Sequence, residues 1–179
     1  MNSIINTAVA SVTALVLAAC VGSGAPDVQQ SDQGAAQLML VSDSTIVPGV
    51  RAGRAFLGMS EDQLYSRLGA PFRSELRDHG ATVFYYYIDL TVSVNKATHR
   101  VNKIYIIGPS YSTAGGITVG TPELAVKALL GQPVVEAPLY AGDYRQRVFC
   151  YDGVQTVVKD GSINGIWVFS GQCGKSLKL

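Results

Sequence analysis

A chain of 179 residues with 14 Lys+Arg against 13 Asp+Glu has room for one compact domain or two small ones and carries almost no net charge. It shows neither a basic stripe suited to nucleic acid nor an acidic solvating tail, so both of those function classes are set aside. Nineteen glycines among abundant Val, Ile, Tyr and Phe point to strands separated by turns.

Residues 1–20 carry no charged side chain, and the apolar run Ala8–Ala19 is interrupted only by Ser11 and Thr13. That run is too short to span a bilayer permanently. Its length and small-residue end suit a cleavable secretory signal over residues 1–19. The ending Leu17-Ala18-Ala19-Cys20 resembles the lipobox of bacterial lipoproteins. The resemblance implies cleavage before Cys20 and acylation of that residue, which makes Cys20 the expected membrane anchor. Val21 stands where that family's inner-membrane retention signal would place an acidic residue, so the expectation is the outer membrane, with the folded part in the periplasm. Residues 20–45 read as a tether, because Val21–Ala36 is rich in Gly, Ser, Pro, Gln and Asp and has little to bury. A coil of that length reaches roughly 25–30 Å. Within it, Leu38-Met39-Leu40-Val41 is apolar, as either a strand added to a sheet edge or a sticky part of the linker.

The rest of the chain uses one short stretch twice. Gly58, Glu61, Leu68, Gly69 and Pro71 recur as Gly120, Glu123, Leu130, Gly131 and Pro133, each 62 residues on. Each copy reads as a short helix with a glycine before it, a glycine stop after it and a proline that forbids continuation. In the first copy, Ser60 is an N-cap with Gln63 three positions on, a capping-box pattern. Leu64 and Leu68 make one apolar stripe. In the second copy, Thr121 is the expected cap, Pro122 takes the first helical position, and Val126 and Leu130 form the stripe. Helices this short need something to pack on. Ala81–Asp89, Leu90–Val94 and Val101–Ile107 supply three strands after the first helix. Tyr144–Tyr151, Val154–Lys159 and Ile163–Ser170 supply three after the second, with Asp160-Gly161 as a hairpin turn. Segment 133–143, with Pro138 and Gly142, reads as a loop. Val83-Phe84-Tyr85-Tyr86 aligns with Val148-Phe149-Cys150-Tyr151 across a three-residue insertion, and Val101–Ile106 aligns with Ile163–Val168. The predicted fold is α+β: two tandem repeats, 46–109 and 110–179, each a short helix on a three-stranded antiparallel meander. The repeats either share a core or form one continuous sheet.

Leu57–Ser60, Leu64, Leu68, Gly69 and Pro71, followed by an aromatic strand and a hairpin, resemble the SmpA/OmlA-type outer-membrane lipoprotein domain. Gly120, Val126, Leu130, Gly131 and Pro133 repeat that pattern, and the tandem arrangement is similar to the β-lactamase-inhibitor-protein fold. The first resemblance implies a structural role in outer-membrane assembly or integrity. The second implies inhibition of a secreted enzyme such as a β-lactamase or lysozyme. The shared residues are caps and core positions, so they specify fold more than function.

No catalytic constellation emerges, and the chain is expected not to be an enzyme. His79 and His99 sit in turns without ligand-spaced neighbours, and Glu61 and Glu123 are explained by the helix dipole. No cofactor, metal or small-molecule substrate is expected. With Cys20 lipidated, Cys150 and Cys173 remain, and an oxidising envelope favours their pairing. Alternation places Phe84 and Tyr86 on one sheet face and Tyr85 and Tyr87 on the other. With the aliphatic residues under the helices, Tyr85, Tyr87, Tyr105 and Trp167 are the expected aromatic face. That face either binds a partner, an envelope protein or cell-wall material, or is covered by the linker or the other repeat.

Overall fold

The computed structural model describes residues 43–141 and 144–173. Cys20, the signal, most of the tether and the Leu38–Val41 segment lie outside the described residues. The fold is α+β and centres on one eight-stranded antiparallel sheet with two helices on one face. We number strands β1 (Thr45–Val47), β2 (Arg51–Ala52), β3 (Ala55–Phe56), β4 (Arg73–Arg77), β5 (Thr82–Tyr87), β6 (Leu90–Asn95), β7 (Arg100–Ile106), β8 (Ser112–Thr113), β9 (Val135–Ala141), β10 (Tyr144–Tyr151), β11 (Val154–Lys159) and β12 (Ser162–Phe169). The helices are α1 (Glu61–Leu68) and α2 (Glu123–Leu130).

The large sheet runs β4-β5-β6-β7-β12-β11-β10-β9. Each repeat therefore contributes four strands, not the three expected from sequence. The additional strands are the two edges, and both were hard to see for physical reasons. β4 places Arg73, Glu75 and Arg77 on one face and lacks a buried apolar row; such charges blunt an edge against stray pairing. β9 contains Pro138, which an edge strand tolerates because its outward side needs no ladder donor.

The two repeats are joined through β7 and β12, where Trp167 pairs with Tyr105. These two positions are 62 residues apart and equivalent in the repeat, so the chain's internal two-fold passes between them. The helix-opening glycines repeat the same hydrogen bond: Gly58 N donates to Val101 O, and Gly120 N to Ile163 O, each at 2.8 Å. The β5 hairpin recurs at a spacing of 64, since Tyr87 faces Leu90 as Tyr151 faces Val154. The insertion is thus two residues, and Tyr85 corresponds to Phe149. The three-residue alignment slips this strand by one, which swaps its faces.

Ser60 and Gln63 form the reciprocal capping box expected of α1. α2 departs from expectation: its N-cap is Pro122, and Thr121 Oγ1 instead accepts from Thr118 N at 3.0 Å. Gly69 (φ 81°, ψ −169°) and Gly131 (φ 77°, ψ −160°) close the helices in a region only glycine enters readily. A second small sheet, β3-β2-β1-β8, was not anticipated; β8 falls between the last strand expected of the first repeat and Gly120, and pairs parallel to β1. It joins α1 and α2 in covering one face. Leu64, Val126, Ile46 and Ile117 meet Val92, Ile104, Ile106, Ile166 and Val168 in a single core.

Candidate functional site

The face of the large sheet that carries no helix is the candidate site. Along one row it presents Arg73, Tyr86, Thr91, Tyr105, Trp167 and Gln155, each paired with the next across neighbouring strands. Tyr105 and Trp167 stack with centroids 4.2 Å apart and rings 19° from parallel. Tyr105 lies over Gly165, where an added Cβ would meet its hydroxyl at 2.3 Å, so the absent side chain leaves room for the ring. Burial pushes the Tyr105 phenol up. On the adjoining strands the Arg73 guanidinium sits 4.1 Å from the Tyr86 ring centroid and that of Arg77 lies 5.6 Å from Phe84. Glu75 accepts from Arg77 at 3.2 Å and from the Tyr86 hydroxyl at 3.0 Å, and these bonds hold its carboxyl below the usual range.

Of the four aromatic residues read from sequence as one face, the structure keeps Tyr105 and Trp167 and moves the other two. Tyr85 is buried under α1, edge-on to Tyr65 at 5.7 Å. Tyr87 turns its hydroxyl toward Gly69 O, 3.4 Å away, and is the repeat partner of Tyr151, which reaches Gly131 O at the same distance. Desolvation, with the Tyr65 phenol nearby, pushes the Tyr87 phenol up to about 12. Both residues tie helix to sheet. Phe84 and Tyr86 take their place on the other face. The cause is the run Phe84-Tyr85-Tyr86-Tyr87, in which four consecutive aromatics offer no polar contrast to set the phase.

The second repeat's half of this face is already covered. Val148, Val157 and Phe169 are buried there, and Cys150 points the same way. Cys150 is joined to Cys173 with Cα atoms 5.8 Å apart. The chain beyond β12 passes β11 to reach β10, so the tail crosses this half. On the Arg73-to-Trp167 half Tyr86, Tyr105 and Trp167 are partly exposed, and Thr91 and Ser93 between them are buried.

On the helix side, Glu123, Lys127, Glu136 and Arg147 form a joined ion-pair group, with Lys127 Nζ 4.5 Å from the Phe149 ring centroid. Glu123 is thereby occupied as a structural partner. Among the described residues no group of three His, Cys, Asp or Glu is placed to hold a metal. A cleft of about 660 Å³ lies at the C-terminal end of α1, lined by Arg54, Arg67, Phe72, Tyr87 and Tyr111, beside the point where the described chain begins at Asp43. A second, of about 270 Å³, lies between β1, β8 and α2.

No family model and no curated protein matches this chain. Among solved structures, an extracellular protein containing an SCP domain from Bacillus anthracis is similar at 13% identity and a TM-score of 0.45, over 64% of this chain. This chain spans 44% of that protein's length. A DUF4309 family protein (YjgB) from Bacillus subtilis is similar at 14% identity and a TM-score of 0.49, covering 69% of this chain and 88% of its own. A Streptococcus mutans protein provisionally described as a β-lactamase inhibitor is similar at 18% identity and a TM-score of 0.28, covering 65% of this chain and 86% of its own. Likeness at this level carries no argument about activity, which rests on the residues above.

Proposed function

We propose that this chain is a lipid-anchored envelope protein that binds a protein partner through the helix-free sheet face and performs no catalysis. The observation that carries the reading is the Tyr105–Trp167 stack at the centre of that face. A Tyr/Trp pair that shares its face with the guanidinium groups of Arg73 and Arg77, at the β4 edge over Tyr86 and Phe84, has the composition that dominates binding energy at protein interfaces. The Leu17-Ala18-Ala19-Cys20 sequence supports the anchor and, with Val21 after it, the outer membrane as the site. Several acyl chains on Cys20 give stable anchoring where a single chain does not.

Fractionation of cells tests the anchor. The unmodified chain is expected in the outer-membrane fraction, and Cys20→Ser in the soluble or inner-membrane fraction. A Cys20→Ser chain that still travels with the outer membrane sinks the anchor. A titration against β-lactamases and lysozyme tests the non-inhibitory reading. Tight stoichiometric inhibition by the unmodified chain, lost on Trp167→Ala, would replace scaffolding by enzyme inhibition.

A further inference from the structure

β4 ends the large sheet, and among the described residues no strand pairs with its outer side. Its neighbours fix which of its backbone groups face outward. Lys96 N donates to Ala81 O at 2.9 Å, so that carbonyl faces β6 and the next N–H, on Thr82, faces β4. Thr82 pairs with Arg77, Phe84 with Glu75 and Tyr86 with Arg73. Arg73, Glu75 and Arg77 therefore direct their N–H and C=O groups inward to β5. Ser74 and Leu76, which alternate with them, direct theirs outward.

The side chains along this edge alternate in charge. The Glu75 carboxylate stands 3.4 Å from Arg73 and 3.2 Å from Arg77, and both arginine side chains are more than half exposed. Leu76 and Phe72, at the same edge, are 60% and 72% exposed. Edge charges keep arbitrary strands away. Against an identical antiparallel strand they select a register, because the copy brings the same charges in reverse order. Centred on Glu75, the pairing sets Glu75 against Glu75 and Arg73 against Arg77, which repels. Centred on Leu76, it sets Ser74 against Asp78, whose φ of 54° takes the chain out of the strand. Centred on Ser74, it sets Arg73 against Glu75 twice and Leu76 against Phe72 twice. The Arg73–Glu75 pairs then fall at the non-hydrogen-bonded positions, where facing side chains come closest. Ser74 and Leu76 supply the outward-facing backbone groups of the ladder.

We propose that β4 pairs antiparallel with β4 of a second copy of this chain, about a two-fold axis at Ser74, and so joins two eight-stranded sheets edge to edge. The interface is isologous, each copy offering the same complementary edge. It sets the helix-free faces of the two copies side by side. It goes beyond the partner-binding reading and does not depend on it.

Cysteine cross-linking of the purified full chain with copper–phenanthroline as oxidant tests the register. A hydrogen-bonded antiparallel pair has Cα atoms about 5.5 Å apart, inside the range of about 4.4–6.8 Å that a disulfide spans. Ser74→Cys should give a reducible covalent dimer, at least about fivefold more abundant than that from Leu76→Cys, which this register holds away from its own copy. In the Ser74→Cys background, Glu75→Arg sets arginine against arginine twice and should lower the dimer yield at least about fivefold. Arg73→Glu/Glu75→Arg exchanges the charges and should recover the yield to within about twofold. Circular dichroism should show every variant folded, since the substituted side chains lie at the sheet edge. The proposal is overturned if Ser74→Cys gives no more dimer than Leu76→Cys, if Glu75→Arg leaves the yield unchanged, or if the charge exchange fails to recover it.

Discussion

The covalent link between Cys150 and Cys173 makes a quantitative prediction. Cys150 is fully buried on β10, and Cys173 lies in the tail beyond β12. Their separation of 23 residues sets the size of the loop that the bond closes in the unfolded chain. In the chain-entropy account, a loop of that size removes about 11 cal/mol/K from the unfolded ensemble, or about 3.4 kcal/mol at 25 °C. Cys173→Ala should therefore lower the unfolding free energy by about that amount. Little is added by the freed Cys150 thiol, which behaves as a small hydrophobe. With a urea m-value in the ordinary range of about 1–3 kcal/mol/M, the midpoint should fall by roughly 1–3 M at constant m. Cys150→Ala/Cys173→Ala should lose nearly the same amount, because one bond is removed in both. A loss below about 1 kcal/mol, or losses that add in the double variant, would refute the view that the tail is a closed loop over the second repeat.

Leu64→Ala beneath α1 should cost about 2–5 kcal/mol and Val126→Ala beneath α2 somewhat less, since both are fully buried in the shared core. Each variant should melt in one transition by both near- and far-ultraviolet circular dichroism, because β7 and β12 join the repeats in a single sheet; two transitions would contradict that sharing. Thr156→Val should raise stability by about 1 kcal/mol or more, as a buried hydroxyl without a partner among the described residues is removed; a loss of stability in chemical denaturation would show that the hydroxyl has a partner. The alkaline limb of stability is set by tyrosines. Tyr87 has its phenol raised from 10.0 to about 12, and Tyr105, Tyr111 and Tyr151 are raised by burial too. A phenol whose pKa is raised by folding contributes stability that is fully present below pH 10 and is lost as pH climbs through about 12. Urea midpoints should therefore decline across pH 10–12, and Tyr87→Phe should flatten part of that decline.

Local features were legible in the sequence where their cause is local. The α1 capping box needs only Ser60 and Gln63, and the six inner strands announce themselves through β-branched and aromatic runs between turns. The edges were not legible, because an edge strand is selected for being unattractive: β4 by its charges and β9 by Pro138. The small sheet escaped because its strands are two or three residues long and one pairing joins Thr45 to Ser112 across most of the first repeat. The site was half legible. Tyr105 and Trp167 are flanked by aliphatic residues, which fixes their face. Tyr85 and Tyr87 lie in an all-aromatic run, where the period-2 signal vanishes and only pairing to Val92 and Leu90 decides.

The central claim is that the Tyr105–Trp167 face meets a partner in the envelope. It is tested most directly by photo-cross-linking in living cells, with an aromatic photo-reactive residue at Tyr105 and, as a control on the helix side, at Leu124, which is 83% exposed. The account predicts a discrete adduct with an envelope protein from position 105, none from position 124, and loss of the adduct in the Cys20→Ser background. The same adducts from both positions, or none from position 105, would contradict it.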